Sequence, residues 1–490
     1  MGEKLKHILM GKKGGGSRAT VQLVLVMIAL AAIVYVFVNA PVRDGLGMMW
    51  LIPASFLVCV CLFGRILDFG VGTLGLKIFY VIALIRYIVS PVLITMTQGQ
   101  VHSLRMSSLP ASSYRVAIAI QIIELFVCVV TIHSYYPKLV AKNLAKEPAP
   151  KDETDSGIHL GGYIVLFGFA VVLLLRFPIW FPGLQIYGIK QATSSGIVLE
   201  NTLFSCIKTS LFVISLSKTV KRKGTRRFWG NLLMTIFWAI VCLVTTFGSN
   251  RSFTLELFAT ILVLMLYYFP KYKTGIVICV VPLALIVMFS MIVTKQFDLE
   301  TAAQFSQVSF DLQYVSNQLE EYTNGLWCIA QSYDASIGLT LIERFQAIVK
   351  ELVDALIVPL EIPGLKGLFD FTKDWHSTAS VMKYAFQLYD RGQMLSFSAG
   401  YFINFGILGW ILFPIANCVA MRLLVRFSVA YHFSNTIFDK FMYLWSTFLF
   451  GLTLCYCTQT LIYCMSKYIL FLWIVKKASK IKGKIGNIII

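Results

Sequence analysis

Charge is scarce in this 490-residue chain: 14% of its residues are charged and 57% are apolar. A soluble chain of this size could not hide that much apolar surface behind so thin a charged exterior. Acid is the scarcer sign, 24 Asp and Glu against 43 Lys and Arg, for a formal net charge of +19. That excess does not mark a nucleic-acid binder. The basic residues sit mainly in short loops between apolar runs, the positive-inside pattern of membrane topology. No stretch interleaves basic with aromatic residues as a nucleic-acid surface does. The paired cysteine spacings of a zinc site are also missing. The 11 cysteines lie mostly inside apolar runs (Cys59, Cys61, Cys128, Cys242, Cys279, Cys455, Cys457) and read as small apolar helix residues, and Cys328 is the only one between 295 and 398, which argues against a disulfide within that segment. There is no P-loop, Rossmann glycine motif, serine elbow or metal-ligand cluster, so no cofactor is expected. No internal repeat is visible. Strict alternation is absent too, which argues against a membrane barrel.

What is present is a succession of apolar runs of roughly 16–22 residues, the length that crosses a bilayer core as a helix. They fall at about 21–39, 48–64, 75–96, 116–133, 160–176, 202–217, 231–247, 252–269, 275–294, 399–425, 440–457 and 460–476. The expected fold is an all-α polytopic bundle of about twelve spans with one large helical loop. The run Val21–Val38 is long for a signal peptide, and Pro41 spoils cleavage after Ala40, so it reads as a retained first helix. With twelve spans, the basic segments at the N-terminus, 134–159, Lys218–Arg227, Lys271–Lys273, Arg422–Lys440 and Lys476–Lys484 share one side. That side, carrying both termini, is expected to be cytoplasmic. The organisation is then spans over 1–294, a loop over 295–398, and the last spans with a basic tail over 399–490.

The loop is compositionally distinct. It holds 13 acidic and 7 basic residues, a net of −6, against +25 for the rest of the chain. It is rich in apolar and aromatic residues, unlike a disordered linker. Leu341, Phe345, Ile348, Leu352 and Leu356 recur at three and four, predicting an amphipathic helix over 340–356 that Pro359 and Pro363 end. Ordered loops of this length are usually functional.

Charges inside spans cost ~2.5–3.5 kcal/mol at a helix centre, so each needs a reason. Arg86 lies near the middle of the third run and Glu124 near the middle of the fourth. Adjacent antiparallel spans would pair them. Alternatively Arg86 lines a wet cavity and meets an anion. Arg251 follows Gly248-Ser-Asn in a tight turn and opens a helix, whose N-terminus favours anions; a snorkelling interfacial arginine is the plainer reading. Arg176 reads as an interfacial anchor. The loop offers Arg344, Asp374, His376 and Arg391. His376, the loop's only histidine, suits general-base work, although such a residue is more often a surface hydrogen-bonder. Arginine forks match phosphate oxygens, and a lipid-borne phosphate would explain a site within a membrane.

The stretch Gln393-Met-Leu-Ser-Phe-Ser-Ala-Gly400-Tyr-Phe-Ile-Asn-Phe405-Gly-Ile-Leu-Gly409 resembles the Wzy-type oligosaccharide repeat-unit polymerases of O-antigen and capsule synthesis, relatives of the O-antigen ligases. Those proteins re-enter the membrane after their large loop with roughly aromatic-x-Asn-Phe-Gly-x-x-Gly. Many also carry a Gly-Ser-Arg-like turn, matched by Gly248-Ser-Asn-Arg251. Ala399-Gly400 departs from the family's common Gly-Glu and removes a carboxylate. The resemblance implies a GT-C-like membrane glycosyltransferase in a bacterial cytoplasmic membrane. Its substrates would be undecaprenyl-diphosphate-linked oligosaccharides. An acceptor hydroxyl attacks the donor sugar's C1 and lipid diphosphate leaves, without metal or nucleotide. Carried onto this chain, the diphosphate role falls to Arg251, with Arg86, Arg344 and Arg391, and His376 becomes the catalytic loop histidine beside Arg251. Partners would be membrane lipid and the pathway's chain-length regulator and flippase, with no nucleic acid. A ligase or a lipid-linked glycan transporter are the alternatives.

Overall fold

The computed structural model describes residues 15–63, 74–99, 109–145, 154–176, 197–244, 251–278, 282, 312–357, 367–386 and 395–480. Among them no strand occurs. The helices before the loop are α1 (Gly15–Val38), α2 (Leu51–Phe63), α3 (Leu74–Met96), α4 (Ala111–Leu144), α5 (Leu160–Arg176), α6 (Ile197–Lys221), α7 (Phe228–Val244) and α8 (Arg251–Tyr268). The loop contributes α9 (Leu312–Thr323), α10 (Leu326–Ile337), α11 (Leu341–Leu352) and α12 (Thr378–Ala385). After it come α13 (Phe397–Phe405), α14 (Gly409–His432), α15 (Ile437–Gly451) and α16 (Thr458–Ser479).

A helical element lies at each of the twelve apolar runs. Six are long and apolar enough to cross a membrane, or seven with the bent pair Leu255–Tyr268 and Pro270–Ile278. Leu51–Phe63, Leu160–Leu175 and Phe228–Leu243 are apolar but shorter. Most of the run at 275–294 lies outside the described residues. The fourth run is the visible part of a longer rod. At 1.5 Å per residue, 34 residues reach about 51 Å, well beyond a ~30 Å hydrocarbon core.

The lipid-like exterior is explicit in α1, where Leu23, Val34 and Phe37 are exposed. The centre is α15. Thr436 caps it by accepting from the Asp439 amide at 3.2 Å, and from Phe441 to Gly451 nearly every side chain is buried. α15 packs on α3, α8, α14 and α6, while α4 packs on α14, α2 and α10. The loop therefore does not stand off the bundle: α10 lies between α4 and α13, and α9 rests on α3.

Two spans are locally unwound into π turns that carry a cation. Ile85–Val89 carries Arg86 and Met465–Ile469 carries Lys467. Such one-turn departures are rare and gather at functional positions. In α3, Pro91 follows the turn and has no N–H for the carbonyl four residues back, which favours a shifted bonding pattern there.

Candidate functional site

The bundle's polar centre is built around Arg86. Its Nη2 lies 2.8 Å from Glu124 Oε2, both side chains being sealed from solvent, and its Nη1 donates to the Leu454 carbonyl at 2.7 Å. Tyr87 donates to the same carboxylate at 3.2 Å and to the Gln121 carbonyl at 2.9 Å. On the other side Ser398 donates to Glu124 Oε1, and Asn417 donates to Ser398 Oγ at 2.8 Å. α3 and α13 thus meet on the carboxylate of α4, and α14 joins them through Ser398. A buried ion pair survives in low dielectric best when the remaining lone pairs and protons are hydrogen-bonded; here both Glu124 oxygens accept hydrogen bonds, whereas Arg86 Nε is buried without one.

Of the two readings open for Arg86, the structure realises the ion pair with Glu124. The guanidinium for which a diphosphate role is expected thus has its charge matched by Glu124 and its head packed against protein.

The loop enters the same centre. α15 stops at Gly451 and α16 starts at Thr458, with a short 3-10 turn, Thr453–Cys455, between them. Backbone left unpaired by such a break must be satisfied inside the membrane. Arg86 takes the Leu454 carbonyl. Asn324, between α9 and α10, donates to the Cys455 carbonyl at 2.6 Å and the Leu395 carbonyl at 3.3 Å. Beside it Glu320 accepts from Ser90 and from the Trp327 amide at 3.0 Å. Burial raises the Glu320 carboxyl above its ordinary range, opposed by those hydrogen bonds.

The Asn-Phe-Gly-x-x-Gly stretch forms the second polar cluster. Asn404 bonds Glu351 of α11 at 3.3 Å and Thr378 of α12 at 2.7 Å, and Thr378 donates to Glu351. Burial pushes the Glu351 carboxyl up. Gly406 has φ +57° and ψ −129°, a conformation open essentially to glycine, and it breaks α13 from α14. A Cβ on Gly409 would lie 3.0 Å from the Phe402 ring, so that glycine lets the turn close on α13.

Arg344, a second arginine expected at a diphosphate, stands at the end of α13. It donates to the Phe402, Ile403 and Ser336 carbonyls at 2.5, 2.9 and 2.5 Å, capping the end of α13 and of α10. Both terminal nitrogens are thereby committed to backbone. Burial lowers its pKa.

Arg251 opens α8 at its N-terminus, and its side chain lies outside the described residues. Arg391 lies outside them entirely. His376 is exposed, its ring 5.1 Å from the Tyr384 ring, just before Ser377 caps α12. Asp374 is exposed as well. The structure therefore joins Arg86 to Glu124 and Arg344 to the re-entry motif, and gathers neither with His376.

Two carboxylates escaped the sequence reading. Glu256 is buried in α8, one and a half turns after Arg251, accepting from Tyr456 at 2.5 Å and from Trp445 Nε1 at 3.3 Å. Lone acid in an apolar run was the available signal, the same one that exposes Glu124. Glu351 gave no such signal, because in a mixed loop a buried glutamate looks like any other. Among the described residues no three His, Cys, Asp or Glu side chains converge as a metal site would.

What these features define is a class, a helical multi-pass membrane protein whose long loop is docked on a buried polar centre. No family model, no curated protein and no solved structure matches the chain.

Proposed function

We propose that the protein is a membrane glycosyltransferase that polymerises oligosaccharide repeat units carried on undecaprenyl diphosphate, at the outer face of a bacterial cytoplasmic membrane. The observation that carries this reading is the post-loop segment Asn404-Phe-Gly-Ile-Leu-Gly409. Asn404 bonds the loop helices α11 and α12, and Gly406 and Gly409 make the turn by which α13 meets α14. The reading includes about twelve spans, cytoplasmic termini and a GT-C-like arrangement.

In the reaction an acceptor sugar hydroxyl attacks C1 of the donor sugar. The C1–oxygen bond to the lipid diphosphate breaks, and the diphosphate leaves with the electron pair. The departing charge calls for a preorganised cation. Arg251 fits that task, since it opens α8 where helix N–H groups also face an anion. His376, exposed on the loop, takes the hydroxyl proton. Arg86 and Arg344 hold the scaffold.

Purified protein given a synthetic diphosphate-lipid oligosaccharide is expected to build longer chains and release lipid diphosphate. Arg251→Ala should abolish long polymer at normal expression, and His376→Gln should cut turnover at least about tenfold. Normal chain length with Arg251→Ala removes the assignment.

A second reading, a lipid-linked glycan transporter, draws on the broken helices. The span ending at Tyr268 continues after a 110° bend, and Gly406 interrupts the re-entering pair. Passage of labelled lipid-linked oligosaccharide across proteoliposomes, without chain growth, selects it. Single transfer of a finished glycan to a separate acceptor selects the ligase alternative.

A further inference from the structure

The amphipathic helix α11 is mounted inside out. Two of its charged members face the protein: Glu351 is 5% exposed and bonded to α12 and α13, and Arg344 binds the end of α13. Ala347, also on that side, is fully buried. Its apolar members face away. Leu341 is 85% exposed, Ile342 71% and Phe345 61%, with Leu352 and Leu356 continuing the stripe. The usual surface helix has the opposite arrangement, apolar stripe inward and polar face to water. Water on this stripe would be costly, at about 25 cal/mol per Å² of apolar area.

The stripe is continuous with a lipid-facing surface. Arg344 ties α11 to Gly406, the first residue of the turn into α14, at 3.3 Å from where a Cβ would stand. That turn exposes Ile407 and Leu408, and α14 then exposes Ile411, Ile415 and Val419 along its length. On its other flank α11 packs against the short 3-10 segment Gly367–Thr372, which exposes Leu368 and Phe371, with Trp375 edge-on to Phe371 at 5.2 Å. Aromatic residues of this kind collect at the level of lipid headgroups. Charge borders the stripe without entering it: Glu343 is exposed, and Lys350 pairs with Asp354 at 3.2 Å.

We propose that α11 lies in the plane of the membrane interface on the loop's side, its outward stripe of Leu341, Ile342 and Phe345 sunk among the lipid chains. The partner of this face is the bilayer itself. A helix so placed sits roughly 5–10 Å into the headgroup and acyl boundary. It fixes the loop's height above the bundle and holds the Glu351–Thr378–Asn404 cluster at the membrane surface. The inference rests on membrane embedding alone, so it and the transfer reaction can fail separately: turnover tests one and lipid contact the other.

Spin labels at Leu341→Cys and at Phe345→Cys, each in a Cys61→Ser background in phosphatidylcholine–phosphatidylglycerol nanodiscs, test it. Lys373→Cys, on an exposed lysine of the same loop, is the reference. Oxygen is expected to broaden the signals at 341 and 345 several-fold more than a water-soluble nickel chelate does, with the order reversed at 373. Chelate-dominated broadening at 341 and 345 places the stripe in water and overturns the proposal. Protection from both reagents, with spin–spin broadening between chains, shows a second copy on this face and overturns it equally. If Phe345→Cys fails to accumulate, Leu341→Cys carries the test, since its side chain is almost wholly free of packing.

Discussion

Glu124 and Arg86 show how an intramembrane charge is made tolerable. Each alone is costly at the depth of a span, yet together they close a pair at 2.8 Å and bind Ser398 of α13 and the Leu454 carbonyl. Removing one partner leaves the other buried and uncompensated, a cost of about 3–5 kcal/mol, whereas replacing both by apolar groups is far milder. Arg86→Met is therefore expected to lower thermal stability in detergent sharply, and Arg86→Met with Glu124→Leu to recover most of the loss. Equal damage from the double variant would deny the pairing its structural role. Glu351 belongs to the same scale but reports on pH. Its carboxyl is raised by burial, so the docked state prefers the protonated form. The sign follows: its contribution to docking is fully present below the ordinary carboxylate range and is lost as pH rises through the raised value. Glu320 is raised for the same cause and adds in the same direction, whereas exposed Glu343, lowered by its bonds to Thr340, opposes both. Hydrogen exchange in Thr378–Ala385 should slow as pH falls, after correction for intrinsic rates. Glu351→Gln should flatten that dependence, and an unchanged profile in the variant would locate the effect elsewhere.

At the scale of elements, three interruptions matter more than the regular helices. The π turn at Ile85–Val89, the break at Thr453–Cys455 and the reversal at Gly406 each free backbone groups or redirect a side chain, and each is met by a named partner. Arg86 and Asn324 fill the second, and Arg344 lies against the third. Gly406→Ala tests this directly. Its backbone conformation costs an L-residue about 1–3 kcal/mol, and the new Cβ would stand 3.3 Å from the Arg344 guanidinium. The variant is expected to melt earlier and to expose the loop to protease before the spans unfold. A wild-type digestion pattern would show that the reversal carries no strain. The amphipathic period of α11 was legible from its leucines, and the helix exists with a capping box in which Thr340 and Glu343 bond one another's backbone. Its facing was not legible, because a 3.6-residue period is the same whether the stripe meets a core or a bilayer.

For the whole molecule, the arrangement of basic segments leads to a labelling prediction. An impermeant maleimide should reach Lys373→Cys in intact cells but reach Lys223→Cys only after permeabilisation; both lysines are exposed. The reverse pattern would invert the topology, and labelling of both from outside would break the span count. The bundle's hub is α15, buried on nearly every side. Its apolar sequence alone looks like any other span, and only its neighbours α3, α6, α8 and α14 make it central.

Composition and period determined much of this protein by themselves. So little charge and so many apolar runs leave helices in lipid as the physical solution, and among the described residues the runs are helical because lipid offers backbone groups no other partner. Charge within runs flagged Arg86 and Glu124 for the same reason. The tertiary structure alone decided which charges are spent on one another. Arg86 is matched by Glu124, and Arg344 is used up on three carbonyls 8 to 59 residues away. No local pattern encodes such pairings, since they arise when distant segments pack and each buried polar group must find its complement.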